Sequence, residues 1–561
     1  MNFKLEIRKI LEPQIGKEFD IEIPPNPEMG DFALPCFTLA KTFKKGPNEI
    51  AQDILKKIRP TKYISEIKVS GPYLNFFINK SFLIKETLQE IFKKKGRYGA
   101  HKKNKERVMI EYSQANTHKA FHVGHIRGTS LGESLARILK FYGFSVVQAN
   151  YQGDTGAHVA KWLWAYLKYH KGETPPKVNL ESWIANIYVE AVKKLEEVPA
   201  FQEEVNKINL HLENKSDKSL IKLWSKTRKL SLIAFEKIYR DLGAHFDYYF
   251  FEREVEKRGR EIALELLKKG IAEESDGAVI INLEKYSLGV WVLLRKDGTC
   301  LYSAKDLALA ELKFKKYKID RNLYVVGAAQ SLHLKQLFKT LELMGFKNAS
   351  KCYHLSFSEV RLPTGKMSSR TGQNVLYSDM KSTLIKYALN QVKSRHEDWA
   401  EKKINESANN IAIAALKFNM LAPDNNKLII FDYEKVLKFE GDTGPYVQYA
   451  HARICSILKK SKLAISNPKY DLLDTEEESN LIRQLSIFPQ IVLEAERAYK
   501  PNIIANYALE LTRKFNKFYE LHKVLTDSED LSRARLVLIS AVKQVLANSL
   551  YLLGIDAPSH M

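Results

Sequence analysis

A chain of 561 residues is too long for one hydrophobic core and implies about two to four domains. Its 45% hydrophobic and 27% charged residues are those of a folding globular protein, which excludes a disordered or low-complexity chain, and no run of about 18 apolar residues suggests a membrane span. Lys+Arg is 88 against Asp+Glu 66, a net charge of +22 spread along the whole length. The plain reading is a solubilising surface; the sharper one is a polyanionic partner, nucleic acid above all.

The N-terminus, Met1-Asn2-Phe3-Lys4-Leu5-Glu6, is charged and has no apolar signal core, so a cytoplasmic location is the default. A Pro-rich elbow, Pro24-Pro25-Asn26-Pro27, is followed by an amphipathic helix through Ile50, Ile54 and Ile58. Ile67 to Phe77 predicts two strands around a Gly71-Pro72 turn. Residues 1–100 thus form a small α+β domain, and His101 to Arg107 a charged linker. Val108 to Tyr112 predicts a strand. Leu131, Leu135, Ile138, Leu139 and Tyr142 then fall at i, i+4, i+7, i+8 and i+11, one face of a helix that Gly143 ends, and Phe144 to Tyr151 returns to strand. This β-α-β unit is the building block of a doubly wound parallel sheet, a Rossmann-type domain over 101–384.

From about 160 to 270 the chain reads as a charged helical insertion rather than as part of the sheet. A hairpin is expected from Ala278–Leu283 and Gly289–Leu294 with a turn at Asp297-Gly298. Leu323 to Gly327 has the composition of a buried parallel strand. Residues 385–561 are helical in period and form an all-α C-terminal domain. The cysteines, Cys36, Cys300, Cys352 and Cys455, lie far apart with no C-x-x-C pair, so no zinc site is expected and the metal-ligand set is empty.

Two short blocks carry chemistry. His122-Val123-Gly124-His125 places two imidazoles at a strand-to-helix turn, where backbone N–H groups and the helix dipole favour phosphate. Neutral or cationic, both rings can donate to phosphate oxygens, and Gly124 leaves a surface without Cβ for a flat base. Lys366-Met367-Ser368-Ser369-Arg370-Thr371-Gly372 offers two cations and three hydroxyls, with Gly365 and Gly372 as candidate hinges. Alone, the first is a pair of surface histidines beside a helix cap and the second a basic surface loop. Together, in this order, they predict a site that holds ATP and stabilises charge on its phosphates.

These blocks resemble the HIGH and KMSKS signatures of class I aminoacyl-tRNA synthetases. The likeness is greatest to the arginyl family and runs nearly end to end. Glu111 to Lys119, Gly153-Asp154-Thr155-Gly156, Tyr302-Ser303-Ala304-Lys305-Asp306-Leu307-Ala308, Gly444 to Arg453 and Leu552 to Met561 are all similar to stretches of that family. The resemblance implies ATP-dependent ligation of L-arginine to tRNA(Arg) through an arginyl-adenylate, with magnesium accompanying ATP, activation that needs bound tRNA, and a monomer. It assigns His122, Gly124, His125, Lys366, Met367, Ser368 and Arg370 to ATP, and Glu111, Asn116, Tyr302, Asp306 and Gln330 to arginine. A guanidinium is a planar fork of five donors, which suits that set of carboxylates, amides and a phenol. For Asp306 an ordinary ion pair with Lys305 or another lysine stays open.

Ser369 stands where KMSKS has its second lysine. Family variants of this kind can carry a lysine before HIGH, and Lys119 holds that place, so Lys119 joins Lys366, His122 and His125 as catalytic candidates. His158 stands where the family often has Gln and receives no role. The N-terminal domain is similar to the family's tRNA D-loop-contacting domain, which makes Tyr73 and Asn75 candidates for a base. The C-terminal helices resemble the anticodon-binding bundle, with Tyr446 and Tyr449 as tRNA candidates that could equally be packing residues. The rival readings are a class I synthetase for lysine, whose point charge needs no forked pocket, a catalytically silent tRNA-binding paralogue, and a small nucleotidyltransferase, which leaves the flanking domains and the charge unexplained.

Overall fold

The computed structural model describes residues 3–561 except 17, 25, 362, 364–375, 439, 440, 462 and 465–467, and at residue 27 the backbone alone. The signature loop Lys366–Gly372 therefore lies outside the described residues. The chain divides into two compact units.

The first unit comprises Met1–Gly99, Ala450–Gln490 and Glu510–Asn548. Its antiparallel sheet has the order β1-β3-β2, from β1 (Phe32–Pro35), β2 (Ile64–Ser70) and β3 (Tyr73–Ile78). Alternation puts Leu74, Phe76 and Ile78 on the core face. The expected helix is Pro47–Lys57, burying Ile50 and Ile54. Residues 385–561 are helical almost throughout but do not stand apart as one block. Within this unit the Tyr98 hydroxyl donates to Leu485 O at 2.9 Å, Asn548 Nδ2 donates to Lys95 O and Tyr98 O, and Arg483 pairs with Asp31 at 2.7 Å. Polar groups of the two chain ends, which the sequence places in separate domains, thus find hydrogen-bond partners on each other within this unit.

The second unit comprises Ala100–Tyr449, Ile491–Leu509 and Ser549–Met561. Its core is a parallel sheet of β4 (Arg107–Glu111), β5 (Ser145–Gln152), β6 (Tyr248–Phe251), β10 (Arg321–Gly327) and β11 (Cys352–Phe357), in the order β11-β10-β4-β5-β6. Helix Val123–Tyr142 follows β4 and ends at Gly143, whose φ of 122° suits glycine alone. Gly132 lets this helix approach the sheet, since a Cβ there would lie 2.1 Å from the Tyr112 ring.

Two expectations are corrected. The stretch 160–270 supplies four helices from Ala157 to Asp241 and then strand β6, an edge member of the main sheet. Four residues between charged helices are too short to show a strand period. The hairpin of β8 (Ala278–Asn282) and β9 (Val290–Leu294), with β7 (Glu273–Ser275) beside β8, turns through 283–289, where Ser287 and Gly289 take positive φ. Asp297-Gly298 instead makes the next turn, returning Cys300 to a bridge with Leu294. Short β12 (Val360–Arg361) pairs with β13 (Ile429–Ile430). The helical insertion has its own core around Trp162, Trp164 and Trp224.

Candidate functional site

The sheet changes winding direction between β4 and β10, and the crevice beyond the carboxyl ends of such strands is where doubly wound sheets bind ligands. β4 ends at Glu111, and the loop behind it carries Asn116 and Lys119 into the His122 block.

His122 caps helix Val123–Tyr142. Its Nδ1 accepts from the Gly124 N–H at 3.2 Å, and His125 Nδ1 accepts from the His122 N–H at 3.2 Å. Two backbone donors occupy both Nδ1 atoms, so each neutral ring carries its proton on Nε2. Burial, then the Lys119 ammonium, holds His122 down to about 4. Burial, then His122 and Lys119, holds His125 well below the ordinary imidazole value. Of the two charge states left open by the sequence, the structure selects the neutral one. The ring centroids lie 4.0 Å apart. The surface above Gly124 is not bare: the His122 ring covers it, and a Cβ there would come within 3.1 Å of Cε1. The place expected for a flat base belongs to the imidazole.

His122, His125, Lys119 and Asn116 line one cavity of about 260 Å³ with Tyr188, Leu376 and Asp379. Lys119 is the only fixed cation among its described lining residues, and its ammonium sits 5.3 Å from the Tyr188 ring centroid. Leu376 bridges to His122, and the Tyr377 N–H donates to Phe121 O at 3.1 Å. Lys366, Met367, Ser368 and Arg370 lie outside the described residues, but the chain that follows them is anchored on the histidine block.

Asn116 also lines a second cavity of about 280 Å³, with His158, Glu252, Tyr302 and Lys305. Gly153 makes room for the Asn116 amide, since a Cβ there would lie 2.3 Å from Oδ1. Its neighbour Asp154 is fully buried and accepts from Arg228 at 2.7 Å, a brace rather than a ligand group. Tyr302 is 55% exposed at the start of helix Tyr302–Tyr317, its ring 4.7 Å from that of His333.

The acidic residues are not the open carboxylates that the sequence suggests. Glu111 is 3% exposed and ion-paired with the fully buried Lys313. Burial pushes its carboxyl up, against the pull of Lys313. Asp306 Oδ2 accepts from His333 Nε2 at 2.6 Å, while Oδ1 is buried without a hydrogen-bond partner. Lys305 pairs with Glu252 at 3.1 Å and not with Asp306. Glu111 and Asp306 line neither cavity, yet both act on the buried Tyr151 phenol, as do Glu252 and Asp154. Burial first, then these acids, pushes that phenol well up, and its hydroxyl has no hydrogen-bond partner. Gln330 is exposed beyond the end of β10 and lines neither cavity.

Sequence reasoning missed Lys313, His333, Glu252 and Tyr151. Only Tyr151 had a local signal, since it stands two residues before Gly153 in a stretch already singled out. In the first unit, Tyr73 is half-buried edge-on to Phe37, which is 53% exposed. Asn75 is 3% exposed, so its amide offers no open edge to a base: β3 lies between β1 and β2, and neighbours cover the middle of its outer face. Tyr446 and Tyr449 are half-buried at the start of helix Gly444–Lys460. There Gly444 is the contact residue, as a Cβ would lie 2.5 Å from Ala414 O.

Residues 87–433 match the family profile described as tRNA synthetases class I (R), catalytic domain. Residues 447–561 match the DALR anticodon binding domain, and residues 2–78 the arginyl tRNA synthetase N terminal domain. The chain is 36% identical over 568 residues to the arginine–tRNA ligase of Clostridium acetobutylicum, covering 99% of this chain and 100% of that one. It is 37% identical over 569 residues to the arginine–tRNA ligase of Halothermothrix orenii, covering 100% of both. Among solved structures, the Thermus thermophilus arginyl-tRNA synthetase superposes with a TM-score of 0.87 at 28% identity, over 100% of this chain and 99% of that one.

Proposed function

The chain belongs to the arginyl-tRNA synthetases, and from that premise we propose that it ligates L-arginine to tRNA(Arg) with ATP, releasing AMP and pyrophosphate. The arginine carboxylate attacks the α-phosphorus of ATP, and the adenylate is then transferred to a ribose hydroxyl at the 3′ end of the tRNA. No side-chain nucleophile is required; positioning and charge stabilisation suffice.

The observation that carries the reading is the paired capping of His122 and His125. It fixes two Nε2–H donors beside Lys119 at a helix N-terminus in one cavity. Neutral donors stabilise a developing phosphorane without needing a proton from solvent, and Lys119 adds the fixed charge. Lys366 and Arg370 are assigned the leaving pyrophosphate on the strength of the sequence. Among the described residues no group of three or more His, Cys, Asp or Glu is arranged to hold a metal. Magnesium bound with ATP would neutralise part of the triphosphate charge, and Asp379 is the carboxylate of this cavity that could help hold it.

Asn116 lines both cavities and so can hold the reacting carboxylate end while the side chain extends into the second. The lining acids Glu252 and Glu256 and the Tyr302 phenol are the groups of that cavity that a guanidinium would meet first, while the unsatisfied Asp306 Oδ1 and Tyr151 hydroxyl lie buried outside its lining and would bond it only if side chains shift on binding. Glu111 contributes through its field, since Lys313 already holds it. Tyr73, with Phe37, is retained as a base-stacking candidate, and Tyr446 and Tyr449 as tRNA contacts.

The test is charging of total tRNA with each labelled amino acid in turn. Arginine alone should be incorporated. Lysine charging would transfer the site to the other cationic substrate, and tRNA binding without any ATP turnover would make the chain a silent paralogue.

A further inference from the structure

A cavity of about 290 Å³ lies among helices Leu180–Glu197, Lys218–Asp241 and Tyr377–Arg395, and it shares no lining residue with the two cavities above. Its walls are aliphatic, from Leu180, Ile233, Ile238 and Ile385, and Ile233 is left 58% exposed. A single solvent-facing isoleucine is ordinary, but one at the mouth of a cavity with a polar interior is available to a ligand.

That interior is Glu181, 8% exposed, against Ser378. The Ser378 N–H donates to Glu181 Oε2 at 3.3 Å. The hydroxyl lies near enough to steady the carboxylate but makes no hydrogen bond of good geometry, so Glu181 Oε1 and Ser378 Oγ are both buried and unsatisfied. Burial pushes the Glu181 carboxyl up to about 7, so near neutrality it is present as acid and as carboxylate and can donate or accept. At the rim stand Lys177, Lys237 and Arg240, none in an ion pair among the described residues, whereas Lys381 is already held by Asp241 at 2.8 Å.

An aliphatic slot, a donor–acceptor edge at its base and unpaired cations at its rim match one chemistry: a flat heterocycle joined to phosphate. We propose that this cavity receives one unpaired nucleotide of the RNA substrate. The base meets the aliphatic walls, its hydrogen-bonding edge meets Glu181 and Ser378, and its phosphate meets the lysine rim. The proposal rests on the reading above that the chain binds tRNA. It also ties RNA binding to the ATP cavity, because Tyr377 and Ser378 sit between Leu376 and Asp379, which line the cavity of His122 and His125.

The test uses the full chain with Ser382→Cys, an exposed lining position, alkylated by iodoacetamide and followed at the peptide level. Saturating tRNA should slow alkylation at this position about fivefold or more, with ATP present throughout so that its own site is filled. In parallel, Glu181→Met should weaken tRNA binding about tenfold, while Glu181→Gln, which keeps a donor and an acceptor, should stay within about threefold of the parent. Protection by free CMP or AMP but not by tRNA would overturn the RNA assignment. Undiminished alkylation of the Ser382→Cys variant with tRNA bound, or equal losses in the Met and Gln variants, would overturn the pocket alone. Failure of the parent chain to bind tRNA would overturn the functional reading together with it.

Discussion

The two halves of the cleft meet at Asn116 and solve opposite electrostatic problems. The histidine half must accept a polyanion, and it does so with two uncharged rings whose protons are aimed by backbone donors, plus one described cation, Lys119. The acidic half must accept a cation, and there three buried or half-buried acids already have a basic partner: Glu111 with Lys313, Asp306 with His333, Glu252 with Lys305. A bare buried charge costs too much to keep, so each of these three acids is compensated in advance and offers a ligand only its spare lone pairs. Charge on the phosphate side acts directly on substrate; charge on the acid side is largely spent on folding.

The sharpest break of that contrast is Asp306→Ala. It removes an acid whose Oδ1 is buried without a hydrogen-bond partner, and kcat/KM for arginine should fall about 10³-fold while KM for ATP changes less than about threefold. Equal losses for both substrates would mean that Asp306 only supports the fold. Lys313→Met and Lys119→Ala then separate the halves directly. Lys313→Met strands the Glu111 carboxylate and should cost about 3–5 kcal/mol in urea unfolding. Lys119→Ala should leave unfolding within about 1 kcal/mol yet cut tRNA-supported pyrophosphate exchange about 10²-fold. A loss below about threefold would remove Lys119 from the mechanism.

What was legible in the sequence follows the same division. The histidine half was readable because its parts are local: His122, His125 and Lys119 lie within one loop and one helical turn, and Gly143 marks the end of that helix. The acidic half was readable only by resemblance, since Lys313 and His333 meet their acids through tertiary folding and no spacing announces the pairs. Strand β6 escaped because four residues show no period, and the hairpin turn was misplaced because Asp297-Gly298 is a strong turn signal serving a different turn. Tyr73 and Asn75 became candidates by resemblance alone, and nothing in the sequence says that Asn75 is covered.

A smaller effect concerns pH. His118 and His158 are held down to about 3 and His122 to about 4, in each case by burial first, with His125 lower than ordinary as well. Unfolded, these rings titrate near pH 6.5, so between there and about pH 4 the unfolded chain binds more protons than the folded one. Each ring's contribution to stability is whole above pH 6.5 and shrinks as pH falls, by about 1.4 kcal/mol per pH unit. His118, bonded to Thr117 and Thr227 and outside both cavities, isolates the effect. The difference in unfolding free energy between the parent and His118→Gln should shift by that slope from pH 6.5 to pH 5, in the direction of relative loss for the parent. Parallel pH profiles would show that the His118 ring does not remain neutral on folding.

The smallest expected effect is in the first unit, where it tests whether exposure decides a tRNA contact. Tyr73 shares an edge-to-face contact with Phe37, whose ring is more than half exposed, whereas the Asn75 amide is covered. A stacked base is worth about 1–3 kcal/mol, and Tyr73 is only partly open, so Tyr73→Ala should weaken tRNA binding about fivefold. Phe37→Ala should match it, and Asn75→Ser should stay within about twofold. If instead Asn75→Ser weakens tRNA binding more than Tyr73→Ala at equal folding stability, the sheet must open its middle strand to RNA, and burial in the free protein is then the wrong guide to contact here.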